Sequence, residues 1–505
     1  MGCSVPWLVF RQTLFLPRSL MPQKRGSTDT RRSVLDLHVT LDDRRRVGEQ
    51  VYRQIRDAIL GGRLRAGEVL PSTRELARRL GISRNTILLA FDRLRAEGFI
   101  ESRAGGATRV RDGIQPRSQG APPPSPLRAL PLWKDVPVPG DFSALRSDFD
   151  FRPGLPDASR FPFASWRARM ARQFYAGTIG TGAHIDPAGH AGLRAAIARH
   201  IGVSRAVRAR VDDVIITSGS QQAVDLIARV MLAPGEVVAV EDPCYPMVRH
   251  AFASHRCRVA GVPVDADGLV VGAIPRRTRI VYVTPSHQYP LGMPMTMERR
   301  QSLLEWAQRA DGAIIEDDYD SEFRYGGRPL ESLQSLDGSG RVLYIGSFSK
   351  VMLPTLRLGF VVAPASLHAA LRKAKAVTDW HTTVPTQAAA ASFIDDGLLA
   401  QHVRRMRGVY AERHDLIREI LANDFAEVLT VVPSASGLHL AAFLTGRGAA
   451  RDHPIAERAS TLGVSIFPLS YHYVSTRPRG GLLFGYGAIS VDHVAEGLRR
   501  LRRCF

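Results

Sequence analysis

The chain has 505 residues, 45% apolar and 23% charged, which is globular composition on a length beyond one ordinary domain. Against 48 Asp and Glu stand 68 Lys and Arg, a net charge of +20, and such a field favours polyanions, nucleic acid first. Cys3, Cys244, Cys257 and Cys504 sit at no metal-ligand spacing and are too few for a disulfide scaffold, so a reducing cytoplasm is expected. No apolar run reaches the roughly 18–20 residues that span a bilayer, and no membrane partner is expected.

The first 34 residues carry little pattern. The apolar stretch Val5 to Leu20 is broken by Pro6, Arg11, Pro17 and Arg18, which suits a signal peptide poorly. Residues 1–34 are expected to be a disordered extension, or to follow from a start placed upstream of Met21.

Residues 35–113 read as a small DNA-binding domain. From Arg31 to Asp112 there are 18 Arg, no Lys and 11 acids, a surplus of +7. Val47, Val51, Ile55 and Ile59 recur at helical spacing, and Gly61-Gly62 ends that helix. Pro71-Ser72-Thr73-Arg74-Glu75 opens a second helix, with Ser72 and Glu75 spaced as a capping box. Leu76 and Leu80 face inward, and Gly81 makes the turn. Ser83 caps a third helix with Ile87, Ala90, Phe91 and Leu94 as its buried stripe. Its outward first turn carries Arg84, Asn85 and Thr86. In helix-turn-helix geometry that turn meets base edges, and Arg and Asn suit bidentate base contacts. The run Ser102 to Val110 makes two short strands around a glycine tip, a wing with Arg103 and Arg109 near phosphates. Ser72, Thr73, Arg74 and Ser83 complete the expected contact set on double-stranded DNA. Periodicity alone also admits a helical oligomerisation unit with a solvated charged face. The wording Leu70-Pro71-Ser72-Thr73-Arg74-Glu75-Leu76-Ala77, Ser83-Arg84-Asn85-Thr86-Ile87 and Leu94-Arg95-Ala96-Glu97-Gly98-Phe99-Ile100 closely resembles the winged-helix domain of GntR-family repressors.

Residues 114–148 contain Ala121-Pro122-Pro123-Pro124-Ser125-Pro126, then Pro131, Pro137 and Pro139, the composition of a stiff linker. From residue 149 to 505, short β-branched runs alternate with helical stretches. Val214-Ile215-Ile216, Val237 to Val240, Ile280 to Val283, Ala313 to Ile315, Val342 to Ile345 and Phe360 to Val362 read as buried strands of a mostly parallel α/β sheet.

Within that sheet several side chains suit one cofactor. Lys350, in Ser347-Phe348-Ser349-Lys350, follows a strand, and a deprotonated lysine there forms an imine with an aldehyde. Ser347, Ser349 and Arg357 suit a phosphate. Asp317 and Tyr319 end another strand, where a carboxylate holds a pyridine nitrogen protonated and a phenol holds a ring oxygen. The turn Ser218-Gly219-Ser220-Gln221 offers N–H groups at a helix start, and Tyr245 can stack on a ring. A Mg²⁺ site is the competing reading of the acids, but no P-loop accompanies it.

This set resembles fold-type-I aminotransferases and, more narrowly, the MocR subfamily of GntR regulators. Asp186-Pro187-Ala188-Gly189, Thr284-Pro285-Ser286-His287-Gln288-Tyr289-Pro290 and Glu316 to Tyr325 carry the likeness. The resemblance implies pyridoxal 5'-phosphate, with an aldimine on Lys350, Asp317 at the pyridine nitrogen and Tyr319 at the 3-oxygen. It implies Arg357 and the Ser218–Gln221 turn at the phosphate, a smaller C-terminal α+β subdomain, and a homodimer. Two departures stand out. Tyr289-Pro290-Leu291-Gly292 lacks the asparagine of Asn-Pro-Thr-Gly, and Gly481-Leu482-Leu483-Phe484 lacks the carboxylate-gripping arginine of the enzymes, leaving Arg477 or Arg479 to replace it. The expected function is a DNA-binding regulator sensing the cofactor or an amino compound. The alternatives are an aminotransferase with an accessory DNA-binding domain, and a DNA-binding protein with a vestigial pocket.

Overall fold

The computed structural model describes residues 39–41, 46–102, 107–114, 128–134, 136–137, 147–175, 182–326, 330–446, 451–474 and 477–505. The expected N-terminal extension, most of the expected linker and Arg103 lie outside the described residues. The chain divides into two compact units, Met1–Ala129 and Leu130–Phe505.

The first unit has helices α1 (Val47–Leu60), α2 (Thr73–Leu80) and α3 (Arg84–Ala96), then strands β1 (Ile100–Ser102) and β2 (Thr108–Val110). Val51, Ile55 and Ile59 of α1 pack against Leu76 of α2 and Ile87, Phe91 and Leu94 of α3. Each large apolar side chain so buried contributes about 1.5–3 kcal/mol. Gly81 takes φ +64°, the left-handed turn that lets α3 leave α2 sharply. Ser83 Oγ accepts the Thr86 N–H at 3.1 Å and starts α3 where expected.

Two local expectations need correction. Ser72 Oγ accepts the Glu75 N–H at 3.2 Å, but the Glu75 carboxylate turns to Arg79 at 2.6 Å, so the capping box is half formed. The i,i+4 ion pair takes the carboxylate instead. Thr86 is half-buried rather than outward. Its hydroxyl lies 2.8 Å from Ser83 Oγ, and its methyl packs at Gly48 of α1.

The second unit is built on an eight-stranded sheet. In chain order its strands are β4 (Val214–Thr217), β5 (Val237–Asp242), β6 (Arg258–Asp265), β7 (Gly268–Leu269), β8 (Thr278–Val283), β9 (Ala313–Asp318), β10 (Val342–Ser347) and β11 (Gly359–Val362). Their spatial order is β4-β11-β10-β9-β8-β5-β6-β7. Strands β10, β9, β8, β5 and β6 run parallel, while β11 is antiparallel to both its neighbours. Alternate residues serve opposite faces. Ile280 and Tyr282 join Val238, Val240 and Ile315 on one side, and Val281 and Val283 join Ala239 and Ile314 on the other. Both faces are buried, which is why these strands read as unbroken apolar runs.

Strands β12 (Leu429–Val431), β13 (His439–Leu444), β15 (Phe467–Pro468) and β16 (Gly481–Gly485) form an antiparallel C-terminal sheet. Strand β3 (Phe149–Asp150) pairs in parallel with β14 (Val464–Ser465). From β3 the chain runs directly into Arg152-Pro153-Gly154-Leu155, which lines the cavity described next. Among the described residues, no helix is long and apolar enough to cross a membrane.

Candidate functional site

Parallel strands β5, β8, β9 and β10 all end at one edge of the sheet, where α/β folds bind ligands. A cavity of about 410 Å³ opens there. The backbone after β10 aims Lys350 into it. The Ser349 N–H donates to Ser347 Oγ at 3.2 Å, and the Phe348 N–H to the Leu358 carbonyl at 3.1 Å. Lys350 Nζ donates to the Gly154 carbonyl at 2.6 Å. Burial holds this amine below the usual lysine range, partly countered by Asp320 and Asp317. A lowered lysine pKa means more neutral amine, the nucleophilic form.

Asp317 faces the same cavity from β9. The Tyr282 hydroxyl donates to its Oδ2 at 2.5 Å, and its Oδ1 is buried with no hydrogen-bond partner. Burial pushes this carboxyl up to about 7. A carboxylate oxygen so buried is costly unless a donor completes it.

Beyond β4, Gly219 takes φ +81° and opens the helix Ser220–Met231. The N–H groups of Gly219, Ser220 and Gln221 head that helix and have no intrahelical acceptor. Ser218, expected to join them, does not. Its N–H donates to Gln222 Oε1 at 2.8 Å, a side chain that reaches back from the first turn. Arg357 Nη2 donates to the Ser218 carbonyl at 2.7 Å, beside Gly219. A Cβ on Gly219 would lie 3.0 Å from that guanidinium. Serine-rich, cationic and headed by free N–H groups, this end of the cavity suits an anion.

The cavity thus gathers Lys350, Asp317, Tyr319, Arg357, Ser347, Ser349, Ser220, Gln221 and Tyr245, all named from sequence, with Gly219 at its rim. It also includes Gly154, Tyr282, Thr284, Tyr289, Arg152 and His439. Tyr289 occupies the place where the missing asparagine was expected and packs edge-on against Tyr245, centroids 5.6 Å apart. Arg152 forms a two-point ion pair with Asp150. Neither Arg477 nor Arg479 lines the cavity. Both are exposed, and the Arg479 guanidinium lies 3.7 Å over the Phe443 ring. Leu483 packs with Leu291, Ala441 and Leu469 in an apolar cluster, so no arginine replaces it there.

On the first unit, charge pairing separates two sets of arginines. Arg53, Arg56, Arg79, Arg93 and Arg95 are each paired with a carboxylate. Arg74 and Arg84, both exposed, have no such pair among the described residues, and Asn85 is exposed beside them. Ser72 and Ser83 are exposed helix caps flanking this surface, and Thr73 is half-buried. The strands β1 and β2 form the expected wing, with Glu101 opposite Arg109. Arg109 is exposed, with Nη1 donating to the Gly67 carbonyl at 3.1 Å.

Together these features define a winged helix-turn-helix transcriptional regulator that carries an aminotransferase fold. Residues 47–110 match the family of bacterial regulatory proteins of the gntR family, and residues 155–480 match aminotransferase class I and II. The probable rhizopine catabolism regulatory protein MocR of Rhizobium meliloti is 36% identical, over 90% of this chain and 93% of that one. The HTH-type pyridoxine biosynthesis transcriptional regulator PdxR of Corynebacterium glutamicum is 30% identical, over 88% and 92%. The structure of Pyrococcus horikoshii kynurenine aminotransferase, solved with PMP, is similar at a TM-score of 0.66 and 29% identity, covering 72% of this chain and 91% of that one. The chain belongs to the MocR-type regulators of the GntR family.

Proposed function

We propose that the aminotransferase-type unit binds pyridoxal 5'-phosphate through Lys350 and uses it, or an amino compound that reacts with it, to change affinity for operator DNA. The observation that carries this reading is the unpartnered Asp317 Oδ1 in the same cavity as Lys350. A protonated pyridine nitrogen supplies the donor that oxygen lacks, and its positive charge draws the carboxyl back down to its ionised form. The cofactor contributes an aldehyde that condenses with an amine. The chain contributes Lys350 as that amine, Asp317 at the ring nitrogen, Tyr319 at the 3-oxygen and Tyr245 against the ring. Arg357, Ser347, Ser349 and the Gly219–Gln221 N–H groups hold the phosphate. Ser72, Thr73, Arg74, Ser83, Arg84, Asn85, Arg103 and Arg109 form the DNA surface.

We assign residues 35–113 to the DNA-binding domain, 114–148 to the linker and 149–505 to the cofactor domain, with the working form a homodimer. Cys244, Cys257 and Cys504 are buried free thiols, which suits a reducing cytoplasm. Sustained transamination is the second reading, favoured by the structural likeness to aminotransferases. Leu483, in the arginine-free strand β16, weighs against it, because no cation there grips a substrate carboxylate.

The test is DNA affinity with and without pyridoxal phosphate, on duplexes the protein selects from a random pool. A change of about 5- to 150-fold is expected, with DNA altering cofactor affinity by the same factor. Equal affinities would sink the sensing role.

Gly219→Val tests the phosphate end. The left-handed backbone costs a branched residue about 1–3 kcal/mol, and the new side chain meets Arg357. Both a lower unfolding temperature and at least tenfold weaker cofactor binding are expected by calorimetry and spectral titration. Undiminished cofactor binding would place the phosphate elsewhere.

A further inference from the structure

The Tyr319 phenol, at the cavity wall, does not stand alone. Its oxygen lies 2.9 Å from His287 Nδ1 and 3.0 Å from the His287 carbonyl. The same Nδ1 lies 3.0 and 3.1 Å from the two carboxylate oxygens of Asp320. His287 and Asp320 are 2% and 1% exposed, so neither exchanges its partner for water. Gly437 presses on both. A Cβ there would sit 2.0 Å from His287 Cε1 and 2.6 Å from Asp320 Oδ2, so only glycine lets the backbone approach this closely.

We propose that Asp320 and His287 are positioning residues that aim the proton of the Tyr319 phenol at the 3-oxygen of bound pyridoxal phosphate. This rests on the cofactor reading above.

An ionised carboxylate only accepts hydrogen bonds, so the ring nitrogen facing Asp320 must carry the hydrogen. Asp320 thereby fixes the tautomer of His287. That N–H is also within reach of the phenol oxygen, and it fills the acceptor side of the hydroxyl. The phenol hydrogen is left with two directions, the His287 carbonyl or the cavity. An anionic 3-oxygen is a stronger acceptor than a neutral carbonyl, and it takes the proton bond when present. Burial, reinforced by Asp320, holds Tyr319 well above the usual phenol range, so it remains a donor. The other titratable groups facing this trio include His439, Tyr289, Tyr282, Asp317, Lys350, Tyr325, Tyr486 and Glu322, with Ser434 Oγ 3.3 Å from His287 Nε2.

The consequence has a sign. A bond donated to the 3-oxygen favours its anionic form, in which it no longer shares the proton of the nitrogen that Lys350 contributes. Loss of the bond makes that nitrogen hold its proton to higher pH.

The experiment is the pH midpoint of the visible band of the cofactor-loaded full chain. Tyr319→Phe sets the shift for complete loss. His287→Ala should raise the midpoint by about one unit, roughly tenfold in proton affinity. His287→Asn, whose amide nitrogen can replace Nδ1, should stay within a few tenths of wild type. Asp320→Asn should also move upward, because the amide donates and turns Nδ1 into an acceptor of the phenol proton. Removing a nearby negative charge by itself would move it downward. A midpoint unmoved or lowered in His287→Ala and Asp320→Asn, with Tyr319→Phe raised, would overturn the proposal and leave the cofactor reading standing. No band in the wild type would overturn both.

Discussion

Lys350→Ala is expected to abolish the visible band that the wild-type chain gains with pyridoxal phosphate, and with it the cofactor-dependent change in DNA affinity. Lys350 is the amine in the cavity, held toward Asp317 and Tyr319 by the turn after β10. Its pKa is lowered by burial. The folded state therefore binds its proton less readily than the unfolded state, so burying it costs stability below the ordinary lysine range and costs nothing above it. Removing the amine relieves that cost and gives up one bond to the Gly154 carbonyl. The cofactor-free variant should therefore unfold within a few degrees of wild type near neutral pH. An absorbance spectrum and a thermal melt on the same sample check both halves. A variant that keeps its full DNA response would revive the vestigial-pocket reading, and a retained band would put the linkage on another amine.

Arg84→Ala should have the second large effect. Arg84 and Asn85 lie on the exposed first turn of α3, and Arg84 is not neutralised by a described carboxylate. A bidentate base contact is worth about 1–3 kcal/mol, or roughly 5- to 150-fold in affinity. Arg84→Ala should lose that much on the selected duplex and far less on random DNA. Arg74→Ala should weaken both alike and lower the salt slope by about one, the mark of a phosphate contact. Arg53→Ala is the control, because Arg53 already pairs with Glu49 at 2.9 Å. Anisotropy titrations at two salt concentrations distinguish these cases. Equal loss in Arg53→Ala and Arg84→Ala would mean that net charge, not the α3 turn, binds the DNA.

The helix-turn-helix was legible because its information is local. Apolar residues at helical spacing, two serine caps and Gly81 each act within a few residues of themselves. The strands were legible because a sheet buried on both faces leaves runs such as Val237 to Val240. What escaped was set by contacts between distant residues. Nothing near Gly154 in sequence says that its carbonyl meets an amine 196 residues away. Nothing near His287 points to Asp320, 33 residues on, because a buried histidine has no periodic signature. The half-formed capping box and the Ser218 N–H failed differently. In both, a side chain four residues away, Arg79 or Gln222, competed for the group.

The pairing of β3 with β14 fixes an order of events during synthesis. The Phe151 N–H donates to the Ser465 carbonyl at 2.9 Å, and the Phe151 carbonyl accepts the Gly485 N–H at 2.7 Å. The strand that leads into Gly154 thus lacks its backbone partners Ser465 and Gly485 until the last strands of the chain emerge. At about 5–20 residues per second, a ribosome takes roughly 17–66 s to travel from Gly154 to Gly485. The winged unit closes its core using residues 39–114 alone, so it is complete long before the cavity has its wall. Each new chain therefore completes its winged unit well before the two ends of its cavity wall can meet.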